Sequence, residues 1–430
     1  MAPIALAGCD TIDGWFSTKK EPLPGKRESL GVLGRGFNPD ESAAKVGLSP
    51  AIRNPAWPQA GGNPAHLMGN LSLGNTLKPI WNADLGEGGG KRRQILAQPV
   101  VANGVVFAMD SAAVVSAYDL ATGKRKWRAA TVADDVDSSN IGGGLCWENG
   151  TLYAVNGMSD LLAMDAGNGA VQWRGKLDVP ARSAPTVVDG RIFLTTLESK
   201  LLALSATDGH MLWSYQATPT TTTILGGPAP AYGAGMVVAG FGSGEVAALR
   251  AESGIVVWTD GLGIAGSKNS LADFLAIRGA PVIINNQVFV TGMGGLTIAA
   301  DLLTGRRVWE RRLASANSPY AAGNWLFVVS TDQEAGAINL EDARIAWVTA
   351  LPRWENPEKK KDVITWYGPI VAGERVIVVG SNKEAISINP TTGEIVSRLT
   401  LSDSPASFPP IVADGTMLIV TNDGRLTAWK

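Results

Sequence analysis

Ala117-Tyr118-Asp119-Leu120-Ala121-Thr122-Gly123-Lys124-Arg125-Lys126-Trp127 is the stretch on which the fold of this chain turns. It opens as an alternating strand and breaks at Thr122-Gly123, where glycine can take the positive φ of a tight hairpin. A second strand follows and ends on Trp127. Upstream lie a turn at Asn103-Gly104 and the β-rich run Val105-Val106-Phe107, and Pro99 precedes Trp127 by 28 residues. The unit reads as four short antiparallel strands joined by hairpins, which is one blade of a β-propeller.

The unit repeats. The 28-residue gap recurs from Pro185 to Trp213, Pro230 to Trp258, Pro281 to Trp309 and Pro319 to Trp347, and with one end changed from Leu145 to Trp173 and Pro369 to Ser397. An eighth copy starts at Pro410, turns at Asp414-Gly415 and stops at Trp429-Lys430 with no outer strand. Lys78-Pro79-Ile80-Trp81 has the outer-strand pattern and no blade of its own, so pairing the two ends closes the ring and removes an open edge. The expectation is an all-β, eight-bladed propeller over residues 49–430, closed by its own N-terminal strand. Trp81, Trp127, Trp173, Trp213, Trp258, Trp309 and Trp347 are expected to pack blade against blade, each indole N–H bonding a neighbouring backbone. Their regular place inside strands disfavours a carbohydrate platform.

Composition agrees and excludes much else. The chain has 430 residues with 51 Gly, 14 Trp and 18% charged residues, which suits many short strands and Gly-rich turns. A formal net charge of −2 argues against nucleic-acid binding, which needs clustered cations. Cys9 and Cys146 are too few for a disulfide framework or a Cys-rich metal centre, and His66 and His210 too few for a multi-histidine site. Neither histidine has an evident nucleophile, and His210, in the turn Asp208-Gly209-His210, reads as a solvated turn residue. Gly86 to Arg93 fails the spacing of a phosphate loop and reads as a basic connection between blades. Lys359-Lys360-Lys361 reads as a solvated run in a long loop.

Leu6-Ala7-Gly8-Cys9 resembles a bacterial lipobox, in which the cysteine is acylated and the acyl chains anchor the protein to a bilayer. Residues 1–9 are then a signal-peptide remnant, and their shortness leads us to expect that the natural chain starts further upstream. Residues 10–48 are expected to form a flexible tether, and 49–75, rich in Pro and Gly, a loop packed on the ring.

Ala-x-Asp-x-x-Thr-Gly-x-x-x-Trp, intact at Ala117–Trp127 and nearly so at Ala299–Trp309, resembles the PQQ-type propeller repeat. With the lipobox, Trp57-Pro58-Gln59 and Gly61-Gly62, residues 6–430 resemble the BamB family, lipoproteins of the outer-membrane β-barrel assembly machine. The resemblance implies a periplasmic scaffold without enzymatic activity or cofactor. It implies docking on the POTRA domains of BamA, unfolded outer-membrane proteins as clients, and a lipid anchor at Cys9. The implied docking face comprises two connections, Thr222, Ile224, Leu225 and Gly226 in the first and Leu271, Asp273, Ile277 and Arg278 in the second. The match departs from the family in two places: Leu225 stands where an arginine is expected, and Asp273 lies upstream of the usual acidic positions, with Ala276 and Arg278 nearer the proline. Asp10 after Cys9 resembles an inner-membrane retention signal of enteric bacteria, against the outer-membrane location the family implies. The same repeat also occurs in PQQ-dependent dehydrogenases. Those carry adjacent cysteines, a Ca²⁺ site and an Asp base, and here no two cysteines are neighbours.

Overall fold

The chain enters the ring with β1 (Pro79–Asp84) and then forms β2 (Val100–Ala102), β3 (Val105–Met109), β4 (Val114–Asp119) and β5 (Arg125–Ala130). The computed structural model describes residues 36–90, 93–132, 143–181, 183–220, 226–263, 275–401 and 404–430. β2 to β5 pair in order as blade 1. Six further blades follow the same order, at 144–176, 186–216, 231–261, 282–312, 320–350 and 366–400. Blade 8 joins both ends of the chain: strands Ile411–Ala413, Thr416–Val420 and Arg425–Trp429 are completed by β1, with Trp81 opposite Ala428. A two-stranded hairpin, Trp354–Asn356 with Lys361–Val363, rises between blades 6 and 7 and carries the lysine run that the sequence reading places in a plain loop.

The register explains the motif. Ala117 faces Trp127 across the strand pair, and the ladder then slips by one residue, so Tyr118 faces Arg125. Ala–Trp pairs followed by the same slip recur at Ala163–Trp173, Ala203–Trp213, Ala248–Trp258, Ala299–Trp309 and Ala337–Trp347. The small Ala leaves room for the indole, and the bulge sharpens the twist at the outer edge. The motif aspartate fixes the turn: Asp119 Oδ1 accepts from the Thr122 backbone N–H and hydroxyl at 3.0 and 2.9 Å.

Glycine and tryptophan of neighbouring blades then meet. Six of the motif indoles donate to a carbonyl of the next blade at 2.7–3.1 Å: Trp81 to Leu120, Trp127 to Ala166, Trp213 to Ala251, Trp258 to Leu302, Trp309 to Leu340 and Trp347 to Pro390. Beneath Trp81 lies Gly123, at φ +70, where an added Cβ would stand 2.6 Å from the ring; Gly209 has the same relation to Trp173. The turn glycine thus supplies both a left-handed backbone and the space for the preceding blade's indole.

The N-terminal segment is ordered further back than its composition suggests. Residues 36–48, assigned by composition to the tether, lie against blades 5 to 7. Asp40 accepts from the buried Arg311 guanidinium and from Ile345 N–H, Phe37 packs over Gly336, and Val46 is buried with its carbonyl bonded to Thr391. A phenylalanine and a paired aspartate outweigh the Gly- and Pro-rich composition there.

Residues 53–72 form a collar that runs once round the inside of the ring and bonds every blade in turn. Asn54 accepts from Asp414 N–H of blade 8, Trp57 exchanges two bonds with Val101 of blade 1, and Pro58 O accepts from Trp147 of blade 2. Gln59 pairs its side-chain amide with both N–H and C=O of Val187 in blade 3, at 3.1 and 2.9 Å. Pro64 O takes Tyr232 N–H of blade 4, Ala65 O takes Ile283 N–H of blade 5, Gly69 O takes the Tyr320 hydroxyl of blade 6, and Leu71 bonds Val371 and Gly373 of blade 7. The innermost strand of a blade offers an open edge to the channel, and the collar satisfies those groups.

Candidate functional site

All inter-blade connections run from an outer strand back to an innermost strand, so they gather at one end of the ring, together with the hairpin between the second and third strands of each blade. The other two hairpins of each blade occupy the opposite end. Around the axis at the connection end lies a cavity of about 230 Å³. Residues before or at the start of the innermost strands wall it, among them Gln98, Ala184, Ala229, Ala280, Pro319, Pro369 and Pro409, with collar residues Trp57, Ala60, Gly61 and His66 also in the lining. Two of the prolines that set the repeat in the sequence, Pro319 and Pro369, are therefore also part of the channel mouth.

Two residues of the expected docking face reach this rim. Gly226, at the end of the connection before blade 4, and half-buried Arg278, before blade 5, both line the cavity. Gly226 also borders a small cleft of about 50 Å³ between blades 3 and 4, with Ser183, Thr196, Phe241 and Ile277. Ile277 cannot be a surface contact as it stands: it is 2% exposed, its N–H bonds Phe241 O at 3.0 Å, and it fills the space over Gly240. Its apolar side chain anchors the connection instead. Thr222, Ile224, Leu225, Leu271 and Asp273 lie outside the described residues, as do Cys9 and Asp10.

The titratable groups near the axis are shifted mainly by burial. His66 gives its Nδ1 side to Pro281 O at 2.7 Å, and burial lowers its pKa to about 4, so it is neutral at pH 7. Sequence reading puts this histidine in a loop with no role. The sequence signal for its setting is the Gly61-Gly62 pair: a Cβ on Gly61 would stand 2.6 Å from the His66 ring. Burial raises the Tyr367 hydroxyl, with Arg278 opposing the rise. By contrast His210 is exposed, with Nδ1 2.6 Å from Asp208 in its turn. Cys146 is buried and its thiol pushed up by burial, which makes it inert. Among the described residues no cluster of His, Cys, Asp or Glu could hold a metal ion.

This geometry, a closed ring whose connections converge on one rim, is that of a binding platform. The profile of the family described as outer membrane protein assembly factor BamB matches residues 74–141, 133–349 and 352–430. The chain belongs to the BamB family. A curated BamB from Shewanella oneidensis is 27% identical over 354 residues, covering 80% of this chain and 87% of that protein. The crystal structure of BamB from Moraxella catarrhalis superposes with a TM-score of 0.67 at 21% identity, over 83% of this chain and 98% of that one. The quinohemoprotein alcohol dehydrogenase of Comamonas testosteroni superposes almost as well, TM-score 0.66 at 14% identity, over 88% and 81%. Both structural likenesses establish the eight-bladed ring. BamB membership rests on the sequence profile, which spans the blades.

Proposed function

We propose that this chain is a non-enzymatic scaffold of outer membrane protein assembly. Acylated Cys9 holds it at the periplasmic face of the outer membrane, with residues 10–35 as tether. The connection end of blades 3 to 5 docks on the POTRA domains of a BamA-type barrel, and the ring assists unfolded outer-membrane proteins to fold and insert. Family membership carries the assembly role. The docking reading draws support from the convergence of Gly226 and Arg278 on one rim, beside the connections that hold Ile224 and Leu225. A ring braced by indole bonds and an internal collar holds the ends of those connections in fixed positions, which favours binding.

Purification of the lipidated protein under gentle extraction tests this. The BamA-type protein should co-purify, and changing Ile224, Leu225 and Arg278 together should weaken the association at least about tenfold, roughly 1.4 kcal/mol, while the ring stays folded. Recovery of a different periplasmic partner, or unchanged association in the triple variant, would overturn the partner or the face respectively. Fractionation of the two membranes tests the location, since retention directed by Asp10 would place the protein in the inner membrane.

A further inference from the structure

The two connections expected to dock meet on one small element. They flank blade 4, whose second and third strands are joined at the same end of the ring by the hairpin Phe241-Gly242-Ser243-Gly244-Glu245. Glu245 reaches back to the connection that precedes the blade. Its Oε2 accepts from the Thr218 backbone N–H and hydroxyl at 3.0 and 2.6 Å, and its Oε1 accepts from the Tyr215 hydroxyl at 2.6 Å. Three hydrogen bonds to one carboxylate make this a strong tie. The Tyr215 ring also lies against Phe241, with centroids 6.1 Å apart. The connection that follows the blade is tied to the same hairpin at both ends. Leu262 N–H donates to Gly244 O at 2.9 Å where the chain leaves, and Ile277 N–H donates to Phe241 O at 3.0 Å where it returns. Leu275 is seated against Gly244, at φ +82, where an added Cβ would stand 2.7 Å from the Leu275 carbonyl oxygen.

The small cleft beside blade 4 shows the same convergence. Gly226 of the first connection, Ile277 of the second, and Phe241 and Gly242 of the hairpin line it together. The tie made by Glu245 is not the habit of its position. Asp160 in blade 2 and Glu384 in blade 7 also open a third strand, and they pair with Arg174 and Arg398 of their own outer strands. We propose that the blade 4 hairpin is a clasp that sets the two docking connections as one surface, with Glu245 as its positioning residue. A partner then meets both connections at a set spacing instead of ordering each one separately. That strengthens association without any contact from Glu245 itself. The inference rests on the docking reading, since the clasp serves binding only where these connections are the docking face.

Association of the lipidated full chain with the BamA-type protein, measured for each variant beside its melting temperature, tests it. Glu245→Ala should weaken association about three- to tenfold. Glu245→Gln should restore it to within about twofold, because the amide oxygen accepts from Thr218 while the amide nitrogen donates to the Tyr215 hydroxyl. Arg278→Ala should lose part of its effect in the Glu245→Ala background, since both positions act through one surface. A residue that only stabilised the ring would lower the melting temperature and leave these affinities unchanged. Unchanged association in Glu245→Ala, beside a weakened triple variant at Ile224, Leu225 and Arg278, would overturn the clasp and leave the docking reading standing. Fully multiplicative effects of Glu245→Ala and Arg278→Ala would also overturn it, by confining Glu245 to the first connection. Unchanged association in the triple variant would overturn the docking reading, and the role of the clasp with it.

Discussion

Alanine at Gly123 and at Gly104 separates the two roles that glycine has in this ring. Both glycines sit in turns of blade 1 with nearly the same backbone, φ +70 and +71. A Cβ at Gly104 meets nothing within 4 Å, whereas a Cβ at Gly123 stands 2.6 Å from Trp81, the indole that seals blade 8 to blade 1. Gly104→Ala therefore costs only the left-handed backbone, about 1–2 kcal/mol. Gly123→Ala costs that and a forced shift of the indole, a further 1–3 kcal/mol by analogy with overpacked cores. Blade 6 already carries Ala343 at this turn position with φ +60, and Trp309 still reaches Leu340 O at 2.7 Å. A methyl can thus be accommodated, so the lower half of the range is expected, about 1–2 kcal/mol between the two variants. Urea melts read by tryptophan fluorescence give the difference. Equal midpoints would show that the glycine–indole contact does not hold the blades, and that backbone conformation alone selects glycine.

Gln59→Ala leaves both backbone groups of Val187 buried without a partner, and should destabilise the ring by about 2–4 kcal/mol in the same melts. His66 has a folded pKa of about 4 against 6.5 unfolded, so the unfolded chain takes up the proton first as pH falls. That contribution is intact above pH 6.5 and drains away toward pH 4, by about 2 kcal/mol between pH 7 and 5. His66→Phe should flatten that part of the stability–pH curve, whatever its effect at pH 7. Ala343→Gly should stabilise slightly, by up to about 1 kcal/mol, through relief of the left-handed alanine; a loss of stability would place the alanine methyl as a needed contact.

The ring was legible because each blade repeats one solution to one local problem. A small residue opposite an indole, an aspartate capping a turn and a glycine under the next indole must recur at fixed spacing, and Ala117, Asp119, Gly123 and Trp127 do so in sequence. The closure by Trp81 followed from an outer strand left over at one end and missing at the other. The collar was not legible, because its bonds are to backbone groups up to hundreds of residues away. Nothing local in Trp57-Pro58-Gln59 says that the glutamine amide will pair with Val187. The order of residues 36–48 was hidden for the same reason: Asp40 gains its meaning only from Arg311. At the rim, Ile277 and Arg278 are neighbours in sequence but face core and cavity respectively, a difference set by the packing over Gly240 rather than by residue type.

The most direct test of the account places a photo-crosslinking amino acid at Arg278, on the connection end, and at Glu252, in a turn at the opposite end of blade 4, in cells making the lipidated protein. The account predicts a crosslink to the POTRA region of the BamA-type protein from position 278 and none from position 252. Crosslinking from 252 alone, or from neither position while the protein still co-purifies with that partner, would contradict it.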